Sequence, residues 1–139
     1  MKMLLLYIMF ATTGLTLKET AGKDESIDFI KGTFDDALAI AKKQDKPVFV
    51  YVHATWCGQC RKLKKSFKDD AAAAYYNKNF VCVAIDGETP EGERLRSKYG
   101  VKVYPTLMIV NSSGQLQTKT TGYHTPYILM NFGKRIVAK

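Results

Sequence analysis

Pro47-Val48-Phe49-Val50-Tyr51-Val52-His53-Ala54-Thr55-Trp56-Cys57-Gly58-Gln59-Cys60-Arg61-Lys62-Leu63-Lys64-Lys65-Ser66-Phe67 decides how this chain is read. The apolar run 48–53 reads as a buried strand. After the cysteines, Leu63 and Phe67 stand four apart among cations, the spacing of an amphipathic helix. Cys57 and Cys60 therefore fall where a strand hands over to a helix N-terminus. Unpaired backbone N–H groups and the positive end of the helix dipole collect there, and both stabilise a thiolate at Cys57. Residues i and i+3 share a helix face, so the two sulfurs can close a disulfide with little backbone movement. Cys57 is expected to be exposed and to attack; Cys60, one turn in, is expected to be shielded and to resolve.

Working outward, Ile27-Asp28-Phe29-Ile30 reads as a short first strand. Thr33 is a candidate N-cap, with Asp35 and Asp36 in the first turn of a helix that runs through Ala41 to Lys42-Lys43 and stops before Pro47. The cysteine-bearing helix is expected to reach about Lys68, and Asp69-Asp70 opens a second helical piece through Tyr76. Phe80-Val81-Cys82-Val83-Ala84-Ile85 is continuously apolar, the mark of a central strand covered on both faces. Residues 91–99 read as a helix ending at Gly100. Leu107–Val110 is a strand turned by Asn111-Ser112-Ser113-Gly114 into a partner at 115–120, and 125–138 a final helix. Strands alternating with helices predict an α/β fold whose sheet is flanked by helices, with an antiparallel edge from the last hairpin.

The chain has 139 residues, 46% of them hydrophobic, and a net charge of +8. That suits one globular domain and argues against disorder. Met1-Lys2 followed by the apolar run 3–11 resembles a secretory leader, and the run is short for a membrane span. The expected division is a signal peptide over 1–21 and a folded domain over 22–139, which places the protein in a periplasm or outside the cell. An ordinary N-terminal strand is the alternative. Arg61, Lys62, Lys64, Lys65 and Lys68 form the densest cationic cluster, a pattern that also suits nucleic acid. They fill the polar side of the helix that carries Leu63 and Phe67, so a solvated face is the preferred reading and no nucleic-acid partner is expected.

The CxxC after the first central strand, Tyr104-Pro105-Thr106 ahead of the next, and Thr121-Gly122-Tyr123 near the end together resemble the thioredoxin family, over about residues 27–139. Lys46-Pro47-Val48 and Ser66-Phe67-Lys68-Asp69 bring it nearest to secreted members, such as the C-terminal domain of the membrane reductase that feeds electrons into the bacterial periplasm. The resemblance implies the thioredoxin fold, a central mixed β-sheet with helices on both faces. It also implies a cis bond between Tyr104 and Pro105, with Pro105 facing the cysteines and Thr106 beside it. Trp56, Gly58, Gln59, Tyr104 and Tyr123 would then form the rim on which a substrate chain rests.

Two positions depart from that family. The buried aspartate expected six residues before the first cysteine is Tyr51, and its lysine partner is replaced by Cys82. The proton relay is therefore missing or rebuilt, with His53, Glu93 or a water as candidates. Cys82, mid-strand, reads as a small buried hydrophobe, although an odd cysteine in a secreted protein also raises intermolecular pairing.

The function expected is thiol–disulfide exchange with protein thiols and disulfides. No cofactor or metal is required beyond the Cys57–Cys60 disulfide, and an upstream redox partner, membrane-bound or not, must recharge the pair. Gln59 cannot become cationic, which favours a reducing potential over an oxidising one, with isomerase or oxidase activity as the alternative. No dimerisation module is visible, so a monomer is expected. The rivals from other classes are a zinc site built from the cysteines with His53 and His124, and a docking module without turnover. Zinc sites usually carry two paired ligand knuckles, and only one is present.

Overall fold

The computed structural model describes residues 25–137, so the expected leader at 1–21 lies outside the described residues. The elements run α1 (Phe34–Gln44), β1 (Val48–His53), α2 (Gly58–Ser66), α3 (Asp70–Asn79), β2 (Val81–Asp86), α4 (Pro90–Tyr99), β3 (Thr106–Val110), β4 (Leu116–Thr121) and α5 (Pro126–Val137). Local chemistry sets their ends. Thr33 and Asp36 form a reciprocal capping box at the head of α1. Asp69 caps α3, and Thr89 with Pro90 starts α4. Gly100, at φ +65°, ends α4 in the left-handed conformation that suits a residue without Cβ.

The four strands form a mixed sheet in the order β2-β1-β3-β4. β1 pairs parallel with β2 and antiparallel with β3, and the β3–β4 hairpin supplies the antiparallel edge. The alternation of β1 sorts the core into two layers. Phe49 and Tyr51 face α2, α3 and α5, packing with Leu63, Phe67, Tyr76, Leu129 and Phe132. Val48, Val50 and Val52 face α1 and α4, packing with Phe34, Ala37, Leu95 and Tyr99. Each such fully buried side chain contributes about 1.5–3 kcal/mol. Helices on both faces are what the alternating pattern predicts. Among the described residues no helix is long and apolar enough to cross a membrane.

Two expectations need correction. The segment 27–30 is not a strand: Phe29 makes one isolated bridge to Cys82. Its other donors are diverted, Ile27 N–H to the Phe67 carbonyl at 2.9 Å and Asp28 N–H to Asn77 Oδ1 at 2.8 Å, which prevents a ladder. The apolar strand at 81–86 is buried on both faces but lies at the end of the sheet, and β1 and β3 are the central strands. Two covered faces produce the same apolar run whether a strand has one neighbour or two.

Candidate active site

β1 ends at His53, and the chain then turns through Ala54-Thr55-Trp56 into the head of α2. Cys57 is the N-cap residue, with extended backbone, and its Sγ accepts the N–H of Cys60 at 3.1 Å. The cysteines are joined as a disulfide, with Cα atoms 5.2 Å apart. A sulfur thus occupies the place that a Ser or Asp oxygen takes at the heads of other helices. Cys57 was expected to be exposed, but it is only 4% accessible and Cys60 2%. Capping the helix and bonding to Cys60 turn the Cys57 side chain inward, where it joins the cluster with Tyr51 and Ala54. Thr55, Trp56, Gly58 and Gln59 are the exposed residues from the turn to Cys60.

Several residues expected at a rim make contacts near the disulfide. Trp56, 66% accessible, stands edge-on to the Tyr104 ring at 5.7 Å between centroids. The Tyr104–Pro105 bond is cis, and Pro105 is buried. The Pro105 carbonyl accepts Gly122 N–H at 2.9 Å. A Cβ on Gly122 would stand 3.5 Å from Gln59 Oε1, so the loop after β4 borders the residues between the cysteines. Tyr123 follows on that loop with the Lys62 ammonium 4.4 Å from its ring centre. Thr106 is buried and donates its hydroxyl to the Val103 carbonyl at 2.7 Å, shaping the turn that carries Tyr104.

Two neighbours of the Trp56–Tyr104 pair escaped the sequence reading. Val103 is half exposed beside Tyr104. Glu88, on the β2–α4 loop, accepts the Trp56 indole N–H at 3.2 Å. Its own backbone N–H is fixed by Asp86 Oδ1 at 2.9 Å, so the loop holds the acceptor in place. Nothing in the spacing of Glu88 signals this, because its partner lies 32 residues away.

At the position of the expected aspartate, Tyr51 is 1% accessible and donates its hydroxyl to the Cys60 carbonyl at 3.4 Å. Burial pushes its phenol up to about 12, so it stays neutral at physiological pH. His53, two residues on and therefore on the same face, stacks on Tyr51 at 5.1 Å. It is half-buried, and burial holds its imidazole below the usual value, opposed by Asp86 across the ladder and reinforced by Lys64. The row 49, 51, 53 thus runs along the α2 face toward the cysteines, a placement that the period of two makes readable in advance. Glu93 is exposed on α4, which packs through Leu95 and Tyr99 on the opposite layer.

Cys82 pairs with Phe49 in the ladder, while Ala84 pairs with Tyr51, so Cys82 and Tyr51 are diagonal neighbours. It is 2% accessible, and burial pushes its thiol far up, the state of an inert core cysteine. The four proposed zinc ligands are not gathered. His124 is buried, with Nδ1 2.9 Å from the Gly122 carbonyl and Nε2 3.2 Å from the Thr120 hydroxyl. Among the described residues no group of three or more His, Cys, Asp or Glu side chains is placed to hold a metal ion.

A family model described as thioredoxin-like matches residues 29–112. Protein disulfide-isomerase erp38 of Neurospora crassa is 30% identical over 113 residues, which cover 81% of this chain and 29% of that protein. The chain spans less than a third of the length of the first curated relatives it matches. The solution structure of a candidate disulphide-isomerase from Bacteroides thetaiotaomicron aligns with a TM-score of 0.72 and 39% identity, covering 84% of this chain and 98% of that one. The oxidised C-terminal domain of Neisseria meningitidis DsbD shares the fold, with a TM-score of 0.63 and 20% identity over 79% of this chain and 98% of that one. The sheet order, the capped cysteine pair and the family match agree: the chain belongs to the thioredoxin-like family.

Proposed function

We propose that the protein is a thiol–disulfide oxidoreductase that exchanges disulfides with protein substrates through Cys57 and Cys60, in the reducing direction. The observation that carries this reading is the cap: the Cys60 N–H directed at Cys57 Sγ at the head of α2. In the reduced pair that donor and the helix dipole favour a Cys57 thiolate. The thiolate attacks one sulfur of a substrate disulfide, forming a mixed disulfide and expelling the other sulfur as a thiolate. Cys60, losing its proton, then attacks Cys57 Sγ; the internal disulfide re-forms and the second substrate thiol leaves. The electron pair passes from the cysteines to the substrate, and an external dithiol, membrane-bound or soluble, must restore it.

His53 is the group we assign to take the Cys60 proton, since it lies on the same face and is kept neutral by burial. Trp56, Gly58, Gln59, Tyr104, Pro105, Thr106 and Tyr123 form the surface that receives the substrate chain. The exposed, uncharged Gln59, which cannot become cationic as a histidine at that position would, supports the reducing direction. The isomerase names of the relatives support isomerisation as the second reading. We further propose that residues 1–21 are a leader, that the enzyme acts as a monomer outside the cytoplasm, and that no metal or organic cofactor takes part.

Cys60→Ser tests the order of attack. The variant is expected to accumulate a mixed disulfide through Cys57 with a disulfide-bonded peptide, seen by mass spectrometry, whereas Cys57→Ser forms none. Equal adduct on both variants would contradict the assigned roles.

A further inference from the structure

We propose that the exposed basic face of α2 recruits protein substrates whose disulfide is flanked by acidic residues. The inference rests on the oxidoreductase reading above and names its substrate class. Three helices obey the dipole rule: α1 opens with Asp35 and Asp36, α3 with Asp70, α4 with Glu91 and Glu93. The helix bearing the cysteines has no acid in its first turn, and neither has α5. Arg61 and Lys62 follow that turn in α2, both exposed, while Lys64 and Lys65 occupy its last turn, where cations suit the dipole, and Lys68 lies just beyond. A cation near a helix N-terminus opposes the dipole, and residues that break a local rule are expected at functional surfaces.

The positions of these cations point to a protein. A Cβ on Gly58 would stand 3.6 Å from Arg61 Nη2, so this guanidinium lies beside the residues between the cysteines. Lys62 sits over the ring of Tyr123. Trp56, next to Cys57, and Tyr123, under Lys62, are exposed aromatic side chains. Aromatic anchors with cations beside them on α2 suit a polypeptide of opposite charge, drawn in electrostatically and held by aromatic contact. Two acids also lie near Trp56 and Tyr104: Glu88, which accepts the Trp56 indole N–H, and Asp86, which accepts the Glu88 backbone N–H.

The test uses the full chain and two synthetic peptides, identical except that glutamates or lysines flank one intramolecular disulfide. Reduction is followed with dithiothreitol as electron donor. Steering by a charged surface changes association about tenfold or more, so kcat/KM is expected to favour the glutamate peptide by about tenfold in ~0.01 M salt. The preference should collapse in ~1 M salt, where charges are screened beyond about 3 Å. The double variant Lys62→Glu/Lys65→Glu is expected to reverse the preference with an unchanged circular dichroism spectrum. Equal kcat/KM for the two peptides in wild type at low salt would overturn the proposal, whether or not the variant folds. Binding of single-stranded DNA or anionic vesicles to α2 with no peptide preference would overturn it too. Failure to reduce either peptide or hydroxyethyl disulfide would instead sink the oxidoreductase reading itself.

Discussion

The hydroxyl of Tyr51 donates to the carbonyl of Cys60 across 3.4 Å, tying the middle of the central strand to the first turn of the cysteine-bearing helix. A buried phenol cannot serve as the carboxylate it replaces, because burial raises its pKa to about 12. Its role is to hold the helix. Tyr51→Phe is therefore expected to cost the low end of about 0.5–1.5 kcal/mol, since the bond is long, and to leave the pH–rate profile between pH 6 and 9 in place. The sign of the alkaline effect follows from the raised pKa. Above pH 10 the unfolded chain gives up a proton that the folded chain keeps until about 12, so stability falls as pH rises through that window. Thermal melts from pH 8 to 11 should show a shallower fall for Tyr51→Phe than for wild type.

His53 is where proton handling is expected to show. His53→Ala should slow turnover and alter its pH profile; unchanged values for both would remove the relay. Its depressed pKa also means that below about 6.5 the unfolded chain takes up a proton that the folded chain resists. Stability is then lost as pH falls from that value, and His53→Gln should lose less of it between pH 7 and 5.

Trp56 is the sole tryptophan of the chain, so its fluorescence reports the rim directly. Glu88→Ala removes its hydrogen-bond acceptor and should lower the fluorescence anisotropy and raise KM for a peptide disulfide, with kcat little changed. Glu88→Gln keeps an acceptor and is expected to restore both. Equal anisotropy in wild type and Glu88→Ala would show that Glu88 does not position the indole.

Gly92 lets α4 close onto the loop that carries Glu88. A Cβ there would lie 2.6 Å from the Gly87 Cα and 2.7 Å from its carbonyl carbon, and backbone cannot yield as a side-chain tip can. Gly92→Ala should cost about 1–3 kcal/mol, the range for overpacking, and lower Tm by several degrees in a calorimetric scan.

Much of this was legible in the chain, for stated reasons. The strand at 48–53, the caps at Thr33 and Gly100 and the Asn111–Gly114 hairpin turn are local, so short-range rules suffice. The inward turn of Cys57 was not, because capping with a sulfur that is also disulfide-bonded overrides the exposure expected of a helix start. The segment 27–30 has strand composition, but Phe67 and Asn77 take its donors, and only tertiary contact reveals that. Glu88 joined the site through a contact between distant loops, which no spacing encodes. Tyr51 was visible as a departure, yet its bond to Cys60 needed the register of strand and helix.

The central claim is a cysteine pair poised to reduce protein disulfides. Its most direct test is the reduction potential of Cys57–Cys60, measured by equilibrating the full chain with glutathione buffers and quantifying free thiols. The expected value lies between ~−200 and ~−270 mV, the range of reducing members of this chemistry. A value near ~−120 mV, that of a strong oxidant, would contradict it.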